Sequence, residues 1–142
     1  PGANLYGPTF GNLNRRQLDV RSRAFSLNEA RLNVSRAARP GSPFGFTLSL
    51  AAGGATDIIH ANEPGGADAY KAFQQAYVTY AGPGGLTLDF GKYLTWIGLE
   101  GVNTPFNDNY SLDFSFFIAQ PTYHTGFRAI RPLGSGLTAG LY

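Results

Sequence analysis

The sequence of 142 residues contains no cysteine, and only 14% of its residues are charged. The absence of cysteine excludes disulfide bonds, thiolate metal sites and cysteine nucleophiles. The charged fraction is low, because about 25% is ordinary for a soluble domain. The chain also lacks an apolar run of the about 18 residues that a membrane-spanning helix needs. Its densest apolar cluster covers only residues 114–119, so a helical membrane protein is excluded.

The positive charge is small and dispersed. The net charge is +2, and the seven arginines between Arg15 and Arg39 form no compact run. A high isoelectric point is only the first requirement for a nucleic-acid-binding protein, and no basic patch with a recognisable motif accompanies it here. We therefore expect no nucleic-acid partner and interpret these arginines as residues of loops and strand faces.

No constellation of catalytic or metal-binding residues is present. The only two histidines, His60 and His124, do not lie in HExxH or a comparable metal-ligand spacing. No Gly-x-Ser-x-Gly nucleophile motif occurs. Gly91-Lys92 lacks the upstream glycines of a phosphate-binding loop. The sequence therefore predicts a protein that is not an enzyme and that has no cofactor and no metal site.

What the sequence does contain is alternation of apolar and polar residues. Residues at positions i and i+2 of a strand leave on the same side, so alternation with period 2 predicts β-strands. In residues 44–52, for example, Phe44, Phe46, Leu48 and Leu50 alternate with small or polar residues. Such segments are long for a soluble sheet, where strands average about 5–6 residues, and match the about 9–11 of a strand that crosses a bilayer. The predicted strands are 4–11, 23–38, 44–52, 72–81, 86–97, 110–119, 125–131 and 137–142.

One of these segments and one of the connections between them depart from the simple pattern. In residues 23–38 the apolar phase changes near Asn28 and Glu29, which predicts a β-bulge there. The alternative is that Phe25 and Leu27 belong to the part next to the loop and face inward. Residues 53–71 are predicted to form a long loop, in which Ile58 and Ile59 could extend the preceding strand.

The predicted connections alternate between long and short until the last one. Residues 12–22, 53–71 and 98–109 form long connections, and residues 39–43, 82–85 and 120–123 form short ones; the final connection, 132–136, is short where a long one was due. Long loops at one end of antiparallel strands and tight turns at the other are typical of outer-membrane β-barrels. The alternative is a soluble β-sandwich, which shares the alternation but rarely has strands this long.

If the apolar face of such a barrel meets lipid, the opposite face lines the lumen. The pore-lining candidates on that face are Gln75, Tyr77, Asp89, Tyr93, Asp113, His124 and Arg128. The candidates for aromatic residues at the membrane interfaces are Tyr80, Trp96, Tyr110 and Tyr123.

Lys92 conflicts with this division of the faces. It shares parity with the apolar residues Leu88, Phe90 and Leu94, and a cation on the lipid face costs about 2–4 kcal/mol at the midplane. We expect a bulge near Gly91 that turns Lys92 inward. The alternative is that Lys92 lies near an interface and extends its ammonium group toward it.

Several segments together resemble a known family. They include Gly91-Lys92-Tyr93, then Ile97-Gly98-Leu99-Glu100, then Asn109-Tyr110-Ser111, Pro121 and His124-Thr125-Gly126-Phe127-Arg128. Each motif is weak alone, but their order and spacing resemble the OmpL-like β-barrel porins of Gram-negative bacteria. The likeness extends from about Phe25 to Tyr142.

The resemblance implies an antiparallel up-and-down transmembrane β-barrel in the bacterial outer membrane. Its expected function is a water-filled channel for passive diffusion of small hydrophilic solutes or ions, and its expected partners are membrane lipid, including lipopolysaccharide, and those solutes. A homo-oligomer or an envelope complex also fits such a barrel. The first alternative function is a non-conducting barrel that acts as a structural scaffold in an envelope complex; the second is a soluble β-sandwich binding module.

The chain is short for this family, whose members have many more strands. It supplies seven predicted strands and part of an eighth, whereas bacterial single-chain barrels close with an even number of strands, eight at least. Tyr142 is also out of phase with Leu137, Ala139 and Leu141. We therefore expect residues 1–142 to form a single β-barrel domain or a fragment that supplies about 7–8 strands of a larger barrel, rather than a complete eight-stranded barrel.

Overall fold

The structure is a computed structural model that describes residues 11–12, 21–22, 27–60, 68–98, 100–101, 107–108 and 114–142. The strands are β1 (Gly11–Asn12), β2 (Arg21–Ser22), β3 (Ala30–Arg36), β4 (Phe44–Ala52), β5 (Phe73–Ala81), β6 (Thr87–Leu94), β7 (Tyr123–Gly134) and β8 (Leu137–Leu141). The helices are α1 (Gly54–Ile59), α2 (Asp68–Lys71) and α3 (Phe114–Ala119), with a 3-10 turn at Pro83–Gly85.

Strands β3 to β8 form one up-and-down sheet, in which every strand lies beside the next one along the chain. The pairs from β4–β5 to β7–β8 are antiparallel. Within the described part of the chain the sheet is open, with β3 and β8 as its edges. Strands β4 and β5 have 9 residues each, β6 has 8 and β7 has 12. These lengths are close to the about 9–11 residues that a bilayer-crossing strand needs.

Three tight turns connect β3 to β4, β5 to β6 and β7 to β8, and their sequences explain their geometry. Arg39 and Ser42 exchange two backbone hydrogen bonds of 2.9 Å around Pro40-Gly41. Proline followed by a glycine with φ of 88° is the pattern of a type II turn. Between β7 and β8, Ser135 and Gly136 both have positive φ, as a two-residue hairpin that follows the sheet twist requires.

The prediction of a strand over residues 110–119 is wrong. Residues 114–119 form helix α3, and residues 110–113 lie outside the described ones. Phe116 is buried whereas Ile118 is exposed, as expected for residues two apart on a helix, which lie on nearly opposite sides. The apolar run was too short for its periodicity to distinguish a strand from a helix.

When residues 110–119 are not counted as a strand, the connections alternate between long and short without exception. β6 and β7 are joined by one long connection, and the turn between β7 and β8 is then the short one that the pattern requires. The proposed extension of a strand through Ile58 and Ile59 is also wrong, because both residues belong to α1.

The expected bulge at Asn28 and Glu29 is wrong as well. Both residues precede β3, which begins at Ala30 and so contains no phase change at that point. Residues 23–26 and 4–10, which belong to two predicted strands, lie outside the described residues. The structure instead has a bulge in β5, where Gln75 pairs with Ser49 but Phe73 pairs with Leu50.

The chain divides into two compact units. One contains Pro1–Ala30, Ala51–Ala72 and Thr95–Thr122; the other contains Arg31–Leu50, Phe73–Leu94 and Tyr123–Tyr142, and so holds most of the sheet. In the first unit, Ala55 N donates to Asn28 O at 2.9 Å, and Ala51 N donates to Ala72 O at 2.8 Å. Among the described residues of this unit, Ala51, Ala55, Thr56, Ile59, His60 and Phe116 are buried. The assignment of residues 1–142 to one domain stays a prediction.

Among the described residues, no helix has the length and apolar character needed to cross a membrane.

Candidate functional site

One face of the sheet is apolar and exposed, and we call it the apolar face. Residues opposite one another in an antiparallel ladder point to the same side, so the register aligns them in rows across the sheet. The central row joins Phe46, Val78, Phe90 and Phe127 over β4 to β7. These side chains are 41%, 57%, 64% and 49% exposed, respectively. The neighbouring row consists of Phe44, Tyr80, Leu88 and Ala129.

The bulge in β5 keeps this face apolar at the start of the strand. A regular strand would place Phe73 on the side of Gln75 and Tyr77, because all three have odd numbers. The extra residue Gln74 shifts the phase, and Phe73 pairs with Leu50 of the apolar face instead. Gln74 is fully buried, whereas Phe73 is exposed.

The opposite face, which we call the polar face, carries an ion pair between neighbouring strands. Asp89 of β6 lies opposite Thr79 of β5 and Arg128 of β7. Arg128 donates from Nε and Nη2 to Asp89 Oδ2, at 2.9 and 2.6 Å. Thr79 Oγ1 donates to Asp89 Oδ1 at 2.6 Å. Asp89 is buried at 3% exposure, and these three bonds compensate for the loss of its hydration.

Aromatic rings surround the arginine of this pair. The guanidinium carbon of Arg128 lies 4.7 Å from the ring centroid of Tyr93 and 5.9 Å from that of Tyr77. A cation within about 6 Å of a ring centroid is attracted by the ring. The two tyrosine rings meet edge to face at 6.2 Å, and His124 stacks on Tyr93 at 6.0 Å. These contacts hold the ion pair in one geometry.

A glycine makes room for this cluster. Gly91 lies between Asp89 and Tyr93 on the polar face, opposite Tyr77 and Gly126. Its φ is 139°, and a Cβ at this position would collide with the backbone oxygen of Ala76 and come within 2.7 Å of the Tyr77 Cα. Only glycine fits this conformation and this close approach.

The structure brings together most of the residues that the sequence selected as pore-lining. Tyr77, Asp89, Tyr93, His124 and Arg128 form one cluster on the polar face. Gln75 lies on the same face of β5, where its Oε1 accepts a hydrogen bond from Leu94 N at 3.4 Å. Asp113 lies outside the described residues. That these residues line a pore stays a prediction.

Thr79 and Gly91 complete the cluster, and neither is among the pore-lining residues that the sequence predicts. Alternation alone places Thr79 on the face of Tyr77, so this signal was available. Its hydrogen bond to Asp89 depends on the register between β5 and β6, which alternation does not determine.

A cavity of about 320 Å³ opens beside this cluster. Its lining is rich in hydroxyl groups, including Thr79 of the cluster itself. The polar residues that line it are Ser35, Arg36, Thr47, Thr79 and Thr87. Arg36 Nη2 donates a hydrogen bond of 2.5 Å to Ser42 Oγ, so its guanidinium group is oriented. The cavity is therefore lined largely by residues that can form hydrogen bonds.

The expected bulge near Gly91 is wrong. The β5–β6 and β6–β7 ladders continue through Gly91 and Lys92 without a register shift, so Lys92 stays on the apolar face, opposite Ala76 and Thr125. Its Nζ lies 4.4 Å from the ring centroid of Tyr123, which pairs with Leu94 farther along β6. The side chain therefore extends away from the central row of the apolar face, as the alternative interpretation required.

Three of the four candidates for interfacial aromatic residues lie near strand ends. Tyr80 is the penultimate residue of β5, and its ring lies 5.3 Å from that of Phe44. Tyr123 is the first residue of β7, and Trp96 follows the end of β6 by two residues. Tyr110 lies outside the described residues. Their location at a membrane interface stays a prediction.

In the described ranges, no group of three or more His, Cys, Asp or Glu side chains lies close enough to hold a metal ion.

An antiparallel up-and-down sheet with one apolar and one polar face is the arrangement that part of a β-barrel has. A comparison with protein families matches residues 4–141 to the family described as "Putative beta-barrel porin-2, OmpL-like". The chain belongs to this family. The predictions of the family and of an all-β antiparallel fold that forms part of a barrel are confirmed. No curated protein and no solved structure matches the chain.

Proposed function

We propose that these residues form part of the wall of a water-filled channel in the bacterial outer membrane, through which small hydrophilic solutes or ions diffuse passively. Porin-type function in general follows from the family. Conduction, the outer-membrane location and the contact with membrane lipid are our proposal.

The observation that carries this proposal is the central row of the apolar face. Four strands present Phe46, Val78, Phe90 and Phe127 side by side, and each of these residues is at least 41% exposed. A continuous surface of large apolar groups is unfavourable in water and marks a contact with lipid or protein. Exposing these groups to hydrocarbon does not carry the free-energy cost of exposing them to water. Outer-membrane barrels present an apolar band about 25 Å tall to the hydrocarbon of the membrane.

The polar face supports a channel that selects solutes by its width and its charge. Asp89 and Arg128 neutralise each other, so the cluster adds no net charge to the wall. The hydroxyl groups of Thr47, Thr79 and Thr87 line the neighbouring cavity. Such a wall offers hydrogen bonds without a strong preference for either ionic sign, which suits small neutral or weakly charged solutes.

The second candidate function is a non-conducting barrel that serves as a structural scaffold. The burial of Ser49, Gln74, Asp89 and Tyr93, each at most 3% exposed, favours it, because residues that line a wide open channel keep contact with water.

Planar-bilayer conductance separates the two candidates. The full-length protein is purified from outer membranes in detergent, and its intact mass is measured on the same sample. Stepwise openings support the channel. A folded, detergent-dependent species that produces no openings overturns the channel and favours the scaffold. A species that stays monodisperse without detergent overturns both and favours the soluble β-sandwich.

A further inference from the structure

Lys92 is a cation on the apolar face of the sheet. Its neighbours across the strands are Ala76 and Thr125, and the next row toward the tight turns contains Phe90 and Phe127. The ladders on both sides of β6 show no register shift at this point, so Lys92 keeps the face of Leu88 and Phe90. A cation in this place is unfavourable in hydrocarbon unless its head group reaches a polar layer or an anion.

The direction of the side chain shows where that polar layer lies. Lys92 Nζ sits 4.4 Å from the ring centroid of Tyr123, at the first residue of β7. Tyr123 lies at the end of the strands where the long connections begin, opposite the end with the tight turns at 40–41, 83–85 and 135–136. The ammonium group is therefore displaced toward the end of the strands with the long connections.

The long connections of outer-membrane barrels face the outside of the cell. On the proposed function, the end of the strands near Tyr123 therefore lies in the outer leaflet, whose lipid is lipopolysaccharide. Its lipid A part carries phosphate groups at the boundary between the acyl chains and the sugars. An ammonium group is a strong point-charge ligand for phosphate.

The groups around Lys92 complement such a ligand. Thr125 is exposed directly opposite Lys92 on the same face, and the ring of Tyr123 has its centroid 4.4 Å from the ammonium group. One cation and two hydroxyl groups can donate hydrogen bonds to one phosphate, while Phe90 and Phe127 provide the surface for acyl chains.

We propose that Lys92, Tyr123 and Thr125 form a binding site for a phosphate group of lipopolysaccharide on the lipid-facing surface. This inference rests on the proposed function, because it requires the apolar face to meet the membrane. The occupant is the lipid rather than free phosphate, because the site adjoins a broad apolar surface.

The test measures binding of purified lipid A to the full-length protein in non-ionic detergent by native mass spectrometry. Wild type is compared with Lys92→Gln, with Lys92→Arg, and with Arg131→Gln as a matched control. Arg131 is an exposed cation of the same β7 face, close to the tight turns. Folded fractions are matched by gel mobility before the comparison.

We expect Lys92→Gln to weaken lipid A binding about fivefold, because one basic residue near an anionic lipid surface contributes about that factor. Lys92→Arg retains binding, and Arg131→Gln leaves it unchanged. With dephosphorylated lipid A, wild type and Lys92→Gln bind equally. Equal binding of phosphorylated lipid A by wild type and Lys92→Gln overturns the site, as does an equal loss in Arg131→Gln.

Two further measurements separate lipid from free phosphate and this inference from the channel. Inorganic phosphate in excess does not displace lipid A from the proposed site; if it does, the lipid assignment is wrong. Wild-type conductance is recorded on the same preparation. Openings together with equal lipid A binding by wild type and Lys92→Gln reject only the lipid site, whereas silence together with a fivefold difference rejects only the channel.

Discussion

At the scale of single residues, Asp89 and Arg128 form one ion pair that carries no net charge. The carboxylate is 4% exposed in its side chain and the guanidinium group 18%, at a separation of 2.6 Å. Removing one partner of a buried pair leaves the other uncompensated, which costs about 3–5 kcal/mol. The lower end of this range applies here, because the arginine keeps some contact with solvent.

We therefore expect Asp89→Asn to destabilise the folded protein by about 3 kcal/mol, at the lower end of the range for a broken buried pair. In a conducting channel it leaves a positive charge in the wall and shifts the reversal potential under a salt gradient toward anion selectivity. Arg128→Gln shifts it toward cations.

The double variant Asp89→Asn/Arg128→Gln is the control for this prediction. It restores neutrality and brings the reversal potential back to that of wild type, and its unfolding free energy yields the coupling between the two residues. Selectivity that is identical in all four proteins would show that the polar face near Asp89 does not line the conducting path.

At the scale of secondary-structure elements, the pairing of strands β5 and β6 depends on one glycine, Gly91. Their ladder runs without interruption from Ala76–Lys92 to Ala81–Thr87, and Gly91 approaches the backbone of Ala76 and Tyr77 more closely than any side chain allows. The ring of Tyr77, on the neighbouring strand, lies against Tyr93 and Arg128. The glycine thus couples the pairing of the strands to the packing of the cluster.

Gly91→Ala is expected to destabilise the protein by about 3 kcal/mol, through backbone strain at positive φ and overpacking against β5. Unfolding in urea, followed by tyrosine and tryptophan fluorescence in detergent, measures this change. Gly54→Ala is the comparison, since a Cβ at Gly54 meets nothing within 4 Å and its φ is not in the positive range. Equal stability of the two variants would contradict the close approach at Gly91.

The arrangement of connections is a property of the whole molecule. Three tight turns lie at one end of the sheet, and the connections of residues 53–72 and 95–122 begin and end at the other. In an outer-membrane barrel this asymmetry sets the orientation, with the tight turns in the periplasm. The chain contains no cysteine, so single cysteines can report which end is accessible.

Two single-cysteine variants, Asp108→Cys and Ser135→Cys, are compared. Asp108 lies in a long connection and Ser135 in the tight turn between β7 and β8, and both positions are exposed. In intact cells that produce the full-length protein without other reactive cysteines, a membrane-impermeant maleimide is expected to label the first variant. The second is labelled only after the outer membrane is permeabilised. The reverse pattern would invert the orientation and remove the basis for lipopolysaccharide at Lys92.

Local sequence determined much of the sheet. Alternation predicted β4 with the bounds that the structure shows, and β5 and β6 to within three residues at each end. It also predicted that Phe90 and Asp89 lie on opposite faces of the sheet. The tight turns were predicted from the sequences Pro-Gly and Gly-Pro-Gly-Gly. These features depend on side-chain direction along one strand and on glycine and proline geometry, which neighbouring residues alone decide.

The tertiary structure decided the rest. Alternation over residues 110–119 did not reveal that residues 114–119 form α3, because an apolar run of six residues satisfies either periodicity and packing selects between them. Parity also could not show that Gln74 is an extra residue or that Gly91 is not the site of a bulge. The sequence thus determined which residues of a strand share a face. Only the register between strands placed Asp89 beside Arg128 and Lys92 beside Tyr123. The reason is that cross-strand contacts form between residues that are distant along the chain.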